Sequence, residues 1–147
     1  MLFLPLLDRQ WRIPDLPRSR SHVLAWVALL ATGFVLLLWR PSQTPFVLAT
    51  LLTAALPEEW FFRAYFMTRF GNGIRANLAA SLLFSLLHGL TRGWTAALQV
   101  FVPSLFYGWL FQRTRDFPLL TLVHALSNLA YTVFLAQFVA TFIGNLR

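Results

Sequence analysis

The sequence predicts an all-α, polytopic bundle of transmembrane helices. Of its 147 residues, 58% are hydrophobic and only 12% are charged, whereas about a quarter of the residues in an ordinary soluble domain are charged. A helix needs roughly 20 mostly apolar residues to cross a bilayer. Five runs are candidates, and we predict that they form a single domain, 1–147. The predicted spans are 22–39, 46–68, 76–90, 94–111 and 119–143.

The segments between the runs carry residues that favour turns. Proline follows the first run at 40–42, and two glycines follow the second run at 71–73. Glycine ends the third break at 91–93, and proline ends the fourth at 116–118. The N-terminal segment, 1–21, is interpreted as cytoplasmic or interfacial, because its apolar stretch, residues 1–7, is too short to span.

The arginines predict the orientation of the bundle, because cytoplasmic loops of membrane proteins are enriched in basic residues. All 12 basic residues are arginines. With a cytoplasmic N-terminus, eight of them lie at the cytoplasmic ends of the spans and three at the opposite ends. The cytoplasmic group is Arg9, Arg12, Arg18, Arg20, Arg69, Arg75, Arg113 and Arg115; the opposite group is Arg40, Arg92 and Arg147. We therefore predict a cytoplasmic N-terminus and an external C-terminus.

Composition also limits the partners and the chemistry. The net charge is +7, but the arginines flank the spans and leave no basic face with exposed aromatic residues, so no nucleic-acid partner is expected. The expected partner is the lipid bilayer. Because the chain contains no cysteine, it has no thiol nucleophile, disulfide or thiolate metal ligand.

The second run carries three charged residues at bilayer depth, Glu58, Glu59 and Arg63. Each costs several kcal/mol unless it is paired or faces an interior cavity, so such residues indicate a functional site. Glu59 and Arg63 are four residues apart, the spacing at which helical side chains meet. We therefore predict that Glu59 pairs with Arg63. Glu58 is rotated by about 100° on the helix and lacks that partner, so it is the better candidate for a general base.

Three further polar residues lie at a similar depth on other runs. They are His88 on the third run, and His124 and Asn128, which share one helix face, on the fifth. At 1.5 Å per residue, Glu58 lies roughly 15 Å from the cytoplasmic end of its span, His88 about 18 Å, Asn128 about 14 Å and His124 about 8 Å. These four residues, on three separate runs, are therefore expected to form one polar layer inside the membrane.

Each of these residues also has a simpler interpretation. A lone histidine or asparagine in a membrane helix often makes only an interhelical hydrogen bond. Gln99 is interpreted in that way. The simpler interpretation weakens for the layer as a whole, because its members are nearly all of the polar side chains at depth.

Three motifs occur in order: Glu58-Glu59-x-x-x-Arg63, Phe84-x-x-x-His88 and His124-x-x-x-Asn128. Together they resemble the motif set of the CPBP family, the CAAX-protease and bacteriocin-processing intramembrane proteases, also called the ABI family. The resemblance covers roughly residues 45–135, which would be the catalytic core.

The resemblance implies an intramembrane endopeptidase, a hydrolase of the glutamic-protease type. Glu58 and His88 would hold and activate the attacking water, His124 and Asn128 would form the oxyanion hole, and Phe84 would pack beside the site. Glu59 and Arg63 would support it. No cofactor is expected. If a metal were used, zinc on Glu58, His88 and His124 would be the candidate set, but the HExxH pattern of zinc proteases is missing.

The resemblance allows several substrates, all of them membrane-anchored peptides or proteins: a C-terminal sorting tag, a CAAX-like end or a leader peptide. The compact size resembles the JDVT-CTERM type, which acts in protein sorting at the bacterial inner membrane. Rival functions are a non-catalytic scaffold or bacteriocin self-immunity protein of the same family, and a proton-coupled transporter. The sequence leaves the oligomeric state open.

Overall fold

The computed structural model describes residues 4–12 and 19–135, and the regular structure within them is helical. A short 3-10 turn, Pro41–Gln43, follows the long first span, Arg20–Trp39. The α-helices are α1 (Leu4–Leu7), α2 (Arg20–Trp39), α3 (Thr44–Thr50), α4 (Leu56–Glu59), α5 (Ile74–Arg92), α6 (Trp94–Thr114) and α7 (Phe117–Ala130). Two π-helical stretches, Leu51–Ala55 and Trp60–Met67, join α3 and α4 into one continuous helical segment, 44–67. We call this segment the glutamate helix. A further π-helical stretch, Tyr131–Leu135, extends α7.

The predicted class, an all-α membrane bundle, is confirmed. Four helical segments of the described residues are long and apolar enough to cross a membrane: Arg20–Trp39, Ile74–Arg92, Trp94–Thr114 and Phe117–Phe134. They match the predicted spans 22–39, 76–90, 94–111 and 119–143, except that residues 136–143 lie outside the described part of the chain. The remaining predicted span, 46–68, coincides with the glutamate helix.

The helices alternate in direction, so segments rich in arginine meet at one end of the bundle. There, Arg69 Nε lies 3.2 Å from the carboxylate of Asp8. The side chain of Gln112 donates to the backbone oxygen of Asn72 at 3.2 Å. We call this the arginine-rich end; it comprises residues 8–12, 69–75 and 112–116.

The opposite end holds the other set of connections. Trp39, at the end of α2, stacks on Phe134 with 5.9 Å between ring centroids. Gly93 joins α5 to α6 with φ +91, a backbone conformation that residues with a side chain rarely adopt. The N–H of Gly93 donates to the oxygen of Gly89 at 3.1 Å, which closes the last turn of α5.

The glutamate helix accommodates Pro57 by widening its turns. Proline lacks an N–H and its ring crowds the preceding turn, so it disrupts an ordinary α-helix. Here Pro57 lies in the single α-helical turn between two π-helical stretches, and the backbone stays right-handed helical throughout. The hydroxyl of Thr53 donates to the oxygen of Ala49 at 2.7 Å and so occupies one carbonyl of this region. π-Helical turns are rare and are frequently found at functional sites.

The N-terminal segment is attached to the same helix. The indole N–H of Trp11 lies 3.2 Å from the oxygen of Ala64 and 3.0 Å from the hydroxyl of Thr68. Its ring also meets Trp60 edge-on, with 5.0 Å between centroids.

Asp8, in the same N-terminal segment, is held by Arg69. The pKa of Asp8 is lowered, chiefly by the backbone N–H of Gln10 and further by Arg69.

The aromatic core fills the half of the bundle next to the arginine-rich end. Its buried members are Phe61, Phe62, Met67, Ala80, Phe84, Tyr107, Phe111 and Leu120. These side chains come from the glutamate helix, α5, α6 and α7, so one cluster joins the four helices that carry the predicted site.

Helices α5 and α6 approach closely where Asn77 faces Gly108. The amide of Asn77 is 2% exposed and donates to the backbone oxygen of Leu105 at 3.0 Å. A Cβ atom built on Gly108 would collide with that amide. Gly108 is therefore required for the close approach of these two helices.

We expect Gly108→Ala to destabilise the protein by about 1–3 kcal/mol, the usual cost of overpacking. Gly33→Ala is the matched control, because its new methyl group would meet only the flexible tip of Leu126 at 3.1 Å. The midpoint of thermal unfolding in detergent measures both. Equal midpoints for the two variants would contradict the prediction.

Candidate active site

The two adjacent glutamates occupy different environments. The side chain of Glu59 is fully buried, whereas that of Glu58 is 17% exposed and lines a cavity. The helix turns by about 100° per residue, so neighbours cannot face the same surroundings. Glu59 thus points into the packed interior and Glu58 into the open space.

Arg63 is fully buried and is held from two helices. Its Nε lies 3.3 Å from Oε2 of Glu59, one turn earlier on the same helix. Its Nη2 donates to the backbone oxygen of Ser104 at 2.9 Å and to the hydroxyl of Ser104 at 2.7 Å. Its guanidinium carbon lies 5.3 Å from the ring centre of Phe84. The predicted pairing of Glu59 with Arg63 is confirmed.

A chain of small polar side chains extends from Arg63 across the bundle. The hydroxyl of Ser104 donates to that of Ser81 at 3.1 Å, and Ser81 donates to the amide oxygen of Asn77 at 3.3 Å. The three side chains are at most 2% exposed. The network therefore ties the buried arginine to both α5 and α6.

His124, on α7, is oriented by Glu59. Its Nδ1 lies 2.8 Å from Oε1 of Glu59, and since an ionised carboxylate only accepts hydrogen bonds, Nδ1–H donates to it. Its Nε2 lies 3.8 Å from Oε2 of Glu58. The ring stacks on Tyr107 with 4.9 Å between centroids. His124 therefore presents Nε2 toward the carboxylate in the cavity.

His88, on α5, is oriented by its own helix. Its Nδ1 lies 3.0 Å from the backbone oxygen of Phe84. A carbonyl oxygen only accepts, so Nδ1 carries a proton, and in the neutral imidazole Nε2 then has the lone pair. The Phe84 ring lies 4.4 Å from that of His88, which restricts the rotation of the imidazole.

One cavity of about 520 Å³ collects the predicted residues. Glu58, His88, His124 and Asn128 all line it, and so does Phe84. Glu59 and Arg63 lie behind its wall. Its other lining residues are Phe46, Ala49, Thr50, Thr53, Ala54, Arg92, Ala96, Gln99, Val100, Pro103, Tyr107, Ser127, Tyr131 and Thr132.

The structure adds residues that the sequence did not single out. Ser104 and Ser81 complete the arginine network, and Tyr107 supports the His124 ring. Gln99 was expected to make a packing hydrogen bond, but it lies exposed on the cavity wall. That expectation was wrong because the cavity, rather than a neighbouring helix, faces this part of α6.

The zinc ligands predicted from the sequence, if the protein used a metal, were Glu58, His88 and His124. Among residues 4–12 and 19–135, no group of three or more histidine, aspartate or glutamate side chains is arranged to hold a metal ion. Glu59 engages Nδ1 of His124, and the Phe84 oxygen engages Nδ1 of His88. Each ring keeps Nε2 as its remaining nitrogen.

The helices and the cavity together define a multi-pass membrane protein with a polar site among its spans. A model of the family described as type II CAAX prenyl endopeptidase Rce1-like matches residues 40–130, which is more than half of the chain. The chain belongs to this family. The predicted resemblance to the CAAX-protease family is thereby confirmed, while the JDVT-CTERM type stays a prediction. Comparison with curated proteins and with solved structures gives no match.

We expect Glu59→Gln to destabilise the fold, because it leaves Arg63 without its counter-charge. Removing one partner of a buried ion pair typically costs about 3–5 kcal/mol. Glu58→Gln is the matched control, with the same chemical change one residue earlier and in the cavity. The test compares thermal midpoints in detergent and the amounts of protein in the membrane. A Glu58→Gln variant that loses as much stability as Glu59→Gln would contradict the assignment.

Proposed function

We propose that the chain is an intramembrane endopeptidase that hydrolyses a peptide bond near the membrane-embedded end of an anchored protein. The observation that carries the proposal is the cavity, into which three helices bring Glu58, His88, His124 and Asn128. The family to which the chain belongs supports the reaction class. The proposed location is the bacterial inner membrane.

In this proposal, Glu58 and His88 activate the attacking water. The Glu58 carboxylate takes a proton from the water molecule while the water oxygen attacks the scissile carbonyl carbon. Nε2 of His88, which retains its lone pair, accepts a hydrogen bond from the same water and orients it. The proton then passes to the leaving amine as the carbon–nitrogen bond breaks. Proton transfer by positioned groups typically contributes about 10²–10⁴-fold to the rate.

His124 and Asn128 would stabilise the tetrahedral intermediate. Nδ1–H of His124 is committed to Glu59, so its Nε2 can donate to the oxyanion only when the ring is protonated. The Glu59 carboxylate compensates that positive charge. The Asn128 amide would supply the second donor one helical turn away. Removing one oxyanion donor costs roughly 10²–10³-fold in rate.

Glu59, Arg63 and Phe84 would act as positioning residues. Glu59 holds both Arg63 and the His124 ring, at 3.3 and 2.8 Å. Phe84 packs against His88 and beneath the Arg63 guanidinium. Their contribution is to fix the two imidazoles, since misplacement of reacting groups by about 1 Å can cost 10²-fold in rate.

The proposed mechanism uses no metal. The Arg63 guanidinium lies behind the site, and a fixed cation there disfavours a dication in the same space, although Glu59 offsets part of the charge.

We expect proteolytic activity to persist in strong chelator. Activity assays of the purified protein with and without chelator test this. Loss of activity that zinc restores would overturn the metal-free mechanism and indicate zinc on Glu58, His88 and His124.

We expect membrane-protein termini in the host to change when Glu58 is replaced by Gln. Without the base, the substrate keeps the segment that the wild-type enzyme removes, and mass spectrometry of protein termini detects it. The expected segments are a C-terminal sorting tag, a CAAX-like end or a leader peptide. His88→Ala should give the same result. Identical termini, with the variant present at the wild-type level, would contradict proteolysis and favour a scaffold or immunity role.

A further inference from the structure

Tyr107, on α6, brings a hydroxyl group into the aromatic core. Among the buried members of that core that the structure describes, it is the one tyrosine, and the other aromatic members are phenylalanines. The chain has 15 phenylalanines and 3 tyrosines, so phenylalanine supplies most of its aromatic packing. A hydroxyl in an apolar interior costs free energy unless it finds a polar partner. Packing alone therefore does not account for the choice of tyrosine at this position.

The ring of Tyr107 is held in one orientation. It stacks on the His124 ring, with 4.9 Å between centroids and 28° between the ring planes. The guanidinium carbon of Arg63 lies 5.9 Å from the centre of the same ring, and Tyr107 is only 4% exposed. The phenol oxygen lies in the plane of the ring, so the contacts that fix the ring also fix the position of the hydroxyl.

The hydroxyl of Tyr107 belongs to the wall of the cavity. Tyr107 lines this cavity, and its hydroxyl lies beside the Ser127 side chain on α7. No hydrogen bond of ordinary length and angle joins the two, and Ser127 Oγ instead donates to the backbone oxygen of Val123 at 2.8 Å. Within residues 4–12 and 19–135, no acceptor engages the phenol proton. The hydroxyl can therefore donate to a molecule bound in the cavity.

The proposed mechanism requires such a donor. Negative charge develops on the carbonyl oxygen when water attacks a peptide bond, and fixed donors stabilise it. His124 has only Nε2 to offer, because Nδ1–H donates to Glu59, and a neutral imidazole of this tautomer has no proton on Nε2. A phenol carries its proton at neutral pH. Tyr107 is therefore a donor that does not depend on the charge of His124.

We infer that the Tyr107 hydroxyl is a catalytic group that donates a hydrogen bond to the oxyanion of the tetrahedral intermediate. This inference rests on the proposed protease function. As the water oxygen bonds to the scissile carbon, the electron pair of the carbonyl π bond moves onto the carbonyl oxygen. That oxyanion accepts a hydrogen bond from Oη–H of Tyr107, and the phenol keeps its proton. When the pair returns, the carbon–nitrogen bond breaks and the leaving amine takes the proton that Glu58 removed from water.

Tyr107→Phe tests the inference, because it removes the hydroxyl and keeps the ring that stacks on His124. Tyr65→Phe is the matched control, since its hydroxyl contacts Asp8 at 3.3 Å rather than the cavity. The substrate probe is a fluorogenic peptide that spans the junction left uncut in the host by Glu58→Gln. The second probe is the phosphinic analogue of this peptide, in which a tetrahedral phosphorus replaces the scissile carbonyl carbon.

We expect Tyr107→Phe to lower kcat roughly 10²–10³-fold, the usual effect of losing one oxyanion donor. KM and the thermal midpoint in detergent should stay at their wild-type values, because the ring is retained. The Kd of the phosphinic analogue should rise by a factor similar to the loss in kcat. The uncut peptide, measured in the Glu58→Gln background, should bind equally well with and without Tyr107→Phe. Tyr65→Phe should leave kcat unchanged.

Two results would overturn the inference. One is a wild-type kcat in Tyr107→Phe. The other is an equal loss of affinity for the uncut peptide and for the phosphinic analogue, which would assign Tyr107 to packing alone. A Glu58→Gln host in which no junction remains uncut would instead reject the proposed protease function, so the two failures are distinguishable.

Discussion

The buried charge of Arg63 is the constraint on which the rest of the site depends. An unpaired guanidinium in this interior would be strongly unfavourable, so the fold surrounds it with a carboxylate, two acceptors from Ser104 and the face of Phe84. To supply those acceptors, α6 must come close, and the chain uses small residues such as Ser81 and Gly108 where α5 and α6 meet. The arginine thus determines how near the helices lie.

The adjacent glutamates have contacts that one carboxylate could not make together. Glu59 is committed to Arg63 and His124, and this commitment fixes the imidazole but leaves Glu59 inaccessible to substrate. Glu58 remains in the cavity within 3.8 Å of the same imidazole. In the proposed mechanism, a single dipeptide on one helix therefore supplies both the fixed anion of the scaffold and the carboxylate that acts as the base. The wide π-helical turns on either side belong to the same stretch of chain.

Patterns among residues close in the chain made the spans and part of the site predictable from the sequence. Hydrophobic runs predict the spans, and the four-residue spacing predicts the pairing of Glu59 with Arg63, because both depend on residues close in the chain. The bond between Glu59 and His124 was not predicted, since it joins residues 65 positions apart and depends on how α7 packs. Ser81 and Ser104 were missed because a serine in a membrane helix gives no signal that distinguishes network members from packing residues. The π-helical turns had only Pro57 as a hint.

The attachment of the N-terminal segment to the glutamate helix has two components that respond differently to solution conditions. The ionic component, between Asp8 and Arg69, is half exposed on the arginine side, so dissolved salt weakens it as the screening length falls from about 10 Å at 0.1 M to about 3 Å at 1 M ionic strength. Because the pKa of Asp8 is lowered, this component persists as the pH falls until Asp8 itself becomes protonated. The Trp11 component consists of an indole hydrogen bond and ring contacts, which ionic strength does not weaken. The N-terminal segment therefore stays attached to the glutamate helix at high salt, when its ionic contact has been weakened.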